Sequence, residues 1–303
     1  MIKLEWVIEP ACHGMTIGMY LKAEKQFSRR ILKAVKFDGG KIRLNDEEQT
    51  VRAIIKEGDR LSISLPIEKS DTLQPTRMPL DIVYEDEAII VINKQAGVAS
   101  IPSMNHPKSS IVNGVLAYYK EKGLPYTVHV VTRLDVDTSG LLLIAKHRYI
   151  HSLLAKMQQT GHIVRRYTAI VEGTLNEKKG TINQPIGRKE GSIIERMVRS
   201  DGQHAVTHYE VVREREGYSI INIEIETGRT HQIRVHMSYL GYPLLGDDLY
   251  GGRFRERHAL HCSELSFLHP ITNKYLVFQS PIPTDMLRLI KMGNNATKSD
   301  DSR

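Results

Sequence analysis

Cysteine is scarce in this chain: 303 residues carry only Cys12 and Cys262, far apart in sequence. No CxxC spacing occurs, so neither a disulfide framework nor a zinc ribbon is expected, and a reducing cytoplasm is the simplest setting. No apolar run reaches the ~18 residues a membrane-spanning helix needs. The N-terminus mixes charged with apolar residues and lacks the apolar core of a secretory signal, so no membrane partner is expected. Neither GxGxxG nor GxxxxGK[ST] occurs, which removes the usual nicotinamide and nucleotide sites. His231 and His236 are not at the same-face spacing of a helical HExxH site, and no glutamate is suitably placed. No metal and no cofactor are therefore expected. Acidic residues fall short of basic ones, 35 against 42, for a net charge of +7. This moderate excess is compatible with a nucleic-acid partner and does not demand one.

The chain is long enough for one large core or two domains, and 41% of it is hydrophobic, as in a folded soluble protein. Residues 1–65 read as a small basic unit. Phe27, Ile31, Ala34 and Val35 recur at helical spacing, and Lys22, Lys25, Arg29, Lys33 and Lys36 recur on another face. Two alternating segments, residues 41–45 and 59–65, then read as strands. A basic helical face beside a small sheet can follow a phosphate backbone, with Lys25, Arg29 and Lys33 as candidate contacts. The interspersed Glu24, Glu47 and Glu48 fit a merely solvated face equally well. Residues 66–79 are polar and proline-interrupted and read as a linker. Residues 80–292 carry the remaining strands and helices, and residues 293–303 form a small, polar tail that is expected to fray.

Two segments carry chemistry. In residues 128–146, VHVVTRLDVDTSGLLLIAK, a β-branched run meets a polar corner and then a second apolar run. This predicts strand, tight turn, strand. A carboxylate at such a corner is held by the sheet yet open to a cleft, which suits catalysis because positioning contributes to rate. Arg133 and Asp135, two apart in extended backbone, point to one side. Asp137 reads as a turn residue or as the second carboxylate of a glycosidase-like pair. The second segment, TGRTHQIRVH over residues 227–236, follows an alternating strand and starts a helix after Gly228, which frees the backbone for a tight turn.

Together RLDVDTSG and TGRTHQIRVH resemble the catalytic core of the RluA-type pseudouridine synthases, which modify RNA. The resemblance extends through YEDEAIIVINKQAG, RRYTAIVEG and the loop PLLGDDLYG. The N-terminal FSRRILKAVKFDGGKIRLN is similar to the alpha-L RNA-binding module, although it lacks the glycine that usually follows Asn45. The resemblance implies an α+β fold with a mixed, largely antiparallel sheet flanked by helices, preceded by that small module. It implies Asp135 as nucleophile or base, Tyr167 as the ring that stacks on the target base, and Arg229 as the partner of Asp135. It further implies Arg133 as the group that displaces the target base from its stack, and Ile233 as an apolar wall of the base pocket. Thr132 stands where the family usually has histidine, so altered RNA recognition is expected there. Lys94 reads as an ordinary turn or surface residue more readily than as a phosphate contact, and Arg234 as helix surface or a phosphate contact.

The implied reaction isomerises uridine to pseudouridine in structured RNA, reached by extruding the nucleotide. Large-subunit ribosomal RNA is the favoured partner, transfer RNA the alternative, and a monomer is expected. The competing readings are a noncatalytic RNA-binding or ribosome-assembly protein on the same fold and, more weakly, a glycoside-hydrolysing enzyme using Asp135 and Asp137.

Overall fold

The computed structural model describes residues 2–68, 73–253 and 255–292. The expected tail, residues 293–303, lies outside the described residues. The N-terminal part comprises β1 (Lys3–Val7), α1 (Ile17–Ala23), α2 (Arg29–Phe37), β2 (Lys41–Leu44), β3 (Glu47–Glu48) and β4 (Arg60–Ser64). Its strands form an antiparallel sheet in the order β1-β4-β2-β3. Thr16 and Ser28 cap the two helices, accepting the N–H groups of Met19 and Ile31 at 3.2 Å. Ile31, Leu32, Ala34 and Val35 turn the apolar face of α2 inward. At the β2–β3 turn Asn45 and Asp46 both take positive φ, 51° and 69°. The hairpin therefore closes without the usual glycine, held by Asn45 to Arg60 N–H and Asp59 at 2.8 Å and by the Asp46–Arg60 pair at 2.7 Å.

The single basic face expected here is divided. Lys25 lies in the turn between the helices, and its ammonium stands 5.6 Å from the Trp6 ring centre and 5.3 Å from that of Tyr20. A cation in that position packs on aromatic faces and does not extend the stripe. Arg29 and Lys33, one turn apart on α2, are exposed.

The larger part opens with the hairpin β5 (Ile82–Glu85) and β6 (Ile89–Lys94), then α3 (Ile111–Glu121), β7 (His129–Val130), β8 (Ser139–Ala145) and α4 (Arg148–Gln159). There follow β9 (Ile163–Glu172), β10 (Lys179–Asn183), the small ribbon of β11 (Ile186–Arg188) and β12 (Arg196–Val198), and the long hairpin of β13 (Val206–Arg215) and β14 (Tyr218–Ile225). The chain closes with α5 (Gln232–Tyr239), β15 (Leu260–Leu268), β16 (Tyr275–Gln279) and α6 (Thr284–Met292). A 10-stranded sheet runs β10-β13-β14-β9-β15-β8-β6-β5, with β7 on β8 and β16 on β15. Among the named strands of the described residues, only β8 and β15 pair in parallel. This is the mixed, largely antiparallel α+β architecture expected from the sequence.

All seven residues of β8 are buried, as befits a strand covered on both faces. Its first turn is the joint between the two halves of the sheet. There Ser139 and Gly140 pair with His261 and Cys262, and Gly140 has φ 112°. A Cβ on Gly140 would stand 2.2 Å from the Cys262 carbonyl oxygen, so only glycine permits this crossing. The strand before the polar corner is shorter than expected. Beyond Val130 the ladder gives way: Val131 and Thr132 N–H both donate to the Leu143 carbonyl, at 2.9 and 3.3 Å, and Thr132 Oγ1 takes the Leu143 N–H at 2.9 Å in place of a backbone carbonyl.

The small sheet is fastened to the large one. Phe27 and Tyr149 pack with ring centres 4.3 Å apart, and the Tyr149 hydroxyl donates to the Lys25 carbonyl at 2.8 Å. Glu68, in the stretch read as a linker, pairs with Arg148 and with His129 at 2.7 Å. Further along that stretch the Gln74 carbonyl accepts from Asn113 of α3 at 2.7 Å.

Candidate active site

The joint between β8 and β15 leaves a cleft of about 500 Å³. Asp135 sits in its wall, on the loop that enters β8. Facing it are β9, which brings Arg165 and Tyr167, and the start of α5, which brings His231, Ile233 and Arg234. Arg133 and Arg229 complete a lining with four arginines and one carboxylate among the described residues. That imbalance suits a polyanionic substrate.

The Asp135 loop is clamped from below. Ser100 Oγ accepts the Leu134 N–H at 3.0 Å and donates to the Leu134 carbonyl at 2.6 Å. Lys94, only 1% exposed, donates to the carbonyls of Gln95, Val98 and Val136 at 2.9, 2.7 and 2.8 Å. Lys94 is thus a buried tie between the end of β6 and the loop, not the turn residue the sequence suggested. Burial pulls its ammonium down to about 7, against the attraction of Asp135 and Asp137. Backbone on both sides of Asp135 is therefore held by side chains, which gives its carboxylate a fixed base.

The partner of Asp135 is Arg234, and this corrects the expectation for Arg229. Arg234 donates through Nη1 to Asp135 at 3.3 Å, and through Nε and Nη2 to Asp247 at 2.8 Å each. Burial works against charge on Arg234, but the hydrogen bonds and charges of Asp247 and Asp135 outweigh it and hold its pKa above the ordinary value. Its guanidinium also lies 5.0 Å from the Tyr250 ring centre. Arg229 lies before the helix, in the turn, and donates to the His204 carbonyl at 2.9 Å. The turn is set by Gln232, whose amide oxygen accepts from Arg229 N–H at 3.0 Å and from the Thr227 hydroxyl at 2.7 Å. Two residues separate Arg229 from the first residue of α5, so its side chain stays at the cleft mouth while Arg234, inside the helix, turns inward.

In the sequence His231 reads only as one of two histidines ill-spaced for a helical metal site; in the structure it stands beside Asp135. It caps α5 with φ 56°, a strained left-handed conformation for a residue with a Cβ. The Tyr250 hydroxyl accepts Arg196 N–H at 2.9 Å and is left to donate to His231 Nδ1 at 2.7 Å. A neutral imidazole then carries its proton on Nε2, 3.9 Å from Asp135. Burial lowers the pKa of His231 against the pull of Asp135, with Arg234 and Arg196 adding to the lowering. His236 is engaged elsewhere, with Thr207 and the Gln184 carbonyl at 2.9 Å. Among the described residues no group of three or more His, Cys, Asp or Glu is placed to hold a metal ion.

Tyr167 and Ile233 both line the cleft and are buried, and burial pushes the Tyr167 phenol up. Arg133 is exposed at the rim. Thr132 is a correction: it is buried, its hydroxyl is spent on Leu143 N–H, and it does not face the cleft. Asp137 is exposed and outside the lining, with its carbonyl accepting from Arg257 at 2.9 Å. The glycosidase reading thus loses its second carboxylate. In the loop of residues 243–251, Asp247 supports the pocket by holding Arg234; an aspartate after a glycine is its only sequence signal.

The fold is that of the pseudouridylate synthases. The solved human RNA Pseudouridylate Synthase Domain Containing 4 superposes with a TM-score of 0.59 over 70% of this chain and 92% of its own, at 20% identity. Human RNA Pseudouridylate Synthase Domain Containing 1 gives 0.56 over 74% and 98%, at 21% identity. Sequence goes further than shape: the RNA pseudouridylate synthase family model matches residues 88–239. The chain is 50% identical to the RNA pseudouridine synthase YjbO of Bacillus subtilis, over 93% of this chain and 100% of that one. It is 38% identical to ribosomal large subunit pseudouridine synthase D of Vibrio parahaemolyticus, over 87% and 86%. The chain belongs to the RluA-type RNA pseudouridine synthase family and is an isomerase that acts on RNA. Among the described residues, no helix is long and apolar enough to cross a membrane.

Proposed function

We propose that this enzyme converts specific uridines of large-subunit ribosomal RNA to pseudouridine, with Asp135 as the group that starts the reaction. The observation that carries this reading is the placement of Asp135: a 28% exposed carboxylate in an arginine-lined cleft, oriented by Arg234 and standing opposite Tyr167. Asp135 attacks C1′ of the target nucleotide or removes its C2′ proton. Either route breaks the N1–C1′ bond while the sugar stays in the RNA. The detached base is retained between Tyr167 and Ile233, turns, and rejoins C1′ through C5 as the Asp135–C1′ bond breaks or as Asp135 returns the C2′ proton; C5 then gives up its proton and N1 gains one. Arg133 and Arg229 at the mouth suit contact with the extruded nucleotide's flanking phosphates. Ribosomal RNA is favoured over transfer RNA because several relatives 34–38% identical carry the name ribosomal large subunit pseudouridine synthase D.

We read residues 1–65 as an RNA-binding module, 66–79 as its connector and 80–292 as the catalytic domain, working as a cytoplasmic monomer. Arg29 and Lys33 are the module's contacts in this reading. The test is pseudouridine mapping by chemical adduct sequencing of total RNA, with the wild-type gene, without it, and with Asp135→Asn. Loss of one or a few sites in the large-subunit RNA, not restored by Asp135→Asn, is the expected result. Loss confined to transfer RNA would overturn the substrate, and full restoration by Asp135→Asn would overturn the site.

A further inference from the structure

Arg165 is the cleft residue that the reaction, as described so far, leaves unused. It lies two residues before Tyr167 on β9, so both side chains project from one face of the strand into the cleft. Its neighbour Arg166 projects to the other face and pairs with Glu224 at 2.9 Å and with Glu264. Arg165 has no such partner. It is only 4% exposed, its Nε is buried without a hydrogen bond, and among the described residues no carboxylate pairs with it. Gly228 makes room for it: a Cβ there would stand 2.7 Å from Arg165 Nη1.

A buried cation without a partner is costly to the folded protein. Groups of that kind persist where a ligand completes them. Two parts of an extruded uridine could do so, its phosphate or its base. Exposed Arg133 and Arg229 already stand at the mouth, where a phosphate remains in contact with water. Arg165 lies inside, beside the ring of Tyr167. The position favours the base.

The chemistry asks for a cation at that place. When the N1–C1′ bond breaks, its electron pair stays on N1. C1′ is taken by an oxygen of Asp135, or becomes the end of a C1′=C2′ double bond if Asp135 removes the C2′ proton. In both cases the base leaves as a uracil anion, whose charge spreads onto the two ring carbonyl oxygens. It returns that pair when C5 bonds to C1′, as the Asp135–C1′ bond breaks and frees the carboxylate, or as Asp135 gives its proton back to C2′; the C5 proton then departs and N1 is reprotonated. We propose that Arg165 donates hydrogen bonds to a ring carbonyl of the target uracil and holds the detached base as an anion while it turns. This rests on the reading of Asp135 as the initiating group. A planar, permanently charged donor suits the task because interaction with the base strengthens as its negative charge develops.

The test uses the full chain and an RNA bearing uridine, 2-thiouridine or 4-thiouridine at the mapped target, in single-turnover reactions at saturating enzyme. Arg165→Met should slow isomerisation by about 100-fold or more, the size seen when one charge-stabilising donor is lost, while RNA affinity changes by less than about three-fold. Its melting temperature should rise or hold, because an unpaired buried charge is removed. Sulfur accepts hydrogen bonds poorly, so one of the two thio-substitutions should slow the wild type and leave Arg165→Met nearly indifferent, a non-additive pair. Gly228→Ala, which crowds the guanidinium without removing it, should show the same loss of sensitivity to that thio-substitution. Weaker RNA binding with an unchanged saturated rate would overturn the proposal in favour of a phosphate contact. A fall in melting temperature with additive thio effects would overturn it in favour of a structural cation. Asp135→Asn is the control: inactive, it leaves these outcomes bearing on Arg165 alone, and active, it removes the reading on which Arg165 depends.

Discussion

Arg234 approaches Asp135 at 3.3 Å, but it is anchored by Asp247, which takes two of its donors at 2.8 Å each. The side chain of Asp247 is fully buried. The guanidinium is thereby fixed before any RNA arrives, and Asp135 meets a donor whose direction is already set. A planar fork can serve two carboxylates in this way; an ammonium cannot hold both with the same geometry.

Arg234→Lys should therefore lower the single-turnover rate by about 100-fold and the unfolding free energy by about 3 kcal/mol, because Asp247 is left buried without its bidentate partner. Arg229→Lys keeps a cation at the cleft mouth and should change the rate by less than ~10-fold. Urea denaturation alongside the rate assay separates the two effects. Equal losses for the two variants would show that the Arg234–Asp135 contact is not the one that matters.

Lys94→Met should act on the same carboxylate from behind. It removes the donor that three carbonyl oxygens share, at a cost of about 1–3 kcal/mol. The Val136 carbonyl is one of them, so the Asp135 loop loosens. Amide exchange of residues 95–100 and 134–138 should accelerate, and the rate should fall with little change in RNA affinity. Unaltered exchange in these two segments would remove Lys94 from the positioning of Asp135.

Acid stability should depend on Glu68. Burial alone would raise its carboxyl, but hydrogen bonds from His129 and Arg148 and the charge of His147 outweigh it and bring it from 4.5 down to about 2. A displacement of this size corresponds to about 3 kcal/mol. Because the folded value is depressed, that stability is fully present above about 4.5 and is lost as pH falls from about 4.5 to about 2. Glu68→Gln should be less stable at neutral pH and should flatten the stability profile across that window. An unchanged slope there would show that Glu68 does not fasten the two sheets.

What the sequence made legible follows the range of the forces involved. Strand alternation, helical apolar spacing and the polar corner at Asp135 are local, and they produce the elements and the α+β class. The pairing of Arg234 with Asp135 is not local. It depends on the helix starting at Gln232, after His231 takes a left-handed conformation that no side-chain periodicity announces. Lys94 looked like a turn lysine because its three acceptors are backbone carbonyls, one of them 42 residues away. Backbone acceptors leave no signature in a sequence. Thr132 shows the opposite difficulty. Its place where the family usually has histidine suggested a change in RNA recognition, yet its hydroxyl serves the Leu143 amide.

The division of the N-terminal basic residues yields the last prediction. Arg29 and Lys33 are exposed one turn apart on α2, whereas Lys25 is packed over Trp6 and Tyr20. Only the first pair is placed to meet a phosphate backbone without disturbing the core. Arg29→Gln combined with Lys33→Gln should weaken binding to ribosomal RNA fragments and make log affinity fall less steeply with log salt. On the counterion-release argument each lost phosphate contact reduces that slope by about 0.7–0.9. The saturated single-turnover rate should stay unchanged, because Asp135 and its supports lie on the other sheet. Lys25→Gln should do the reverse, leaving the salt slope alone and lowering stability by about 1 kcal/mol through the lost cation–aromatic contacts. Filter binding across a potassium chloride series, paired with thermal denaturation, measures both. If the double substitution leaves affinity, slope and choice of target site as they were, this face of α2 is solvated charge and not an RNA contact.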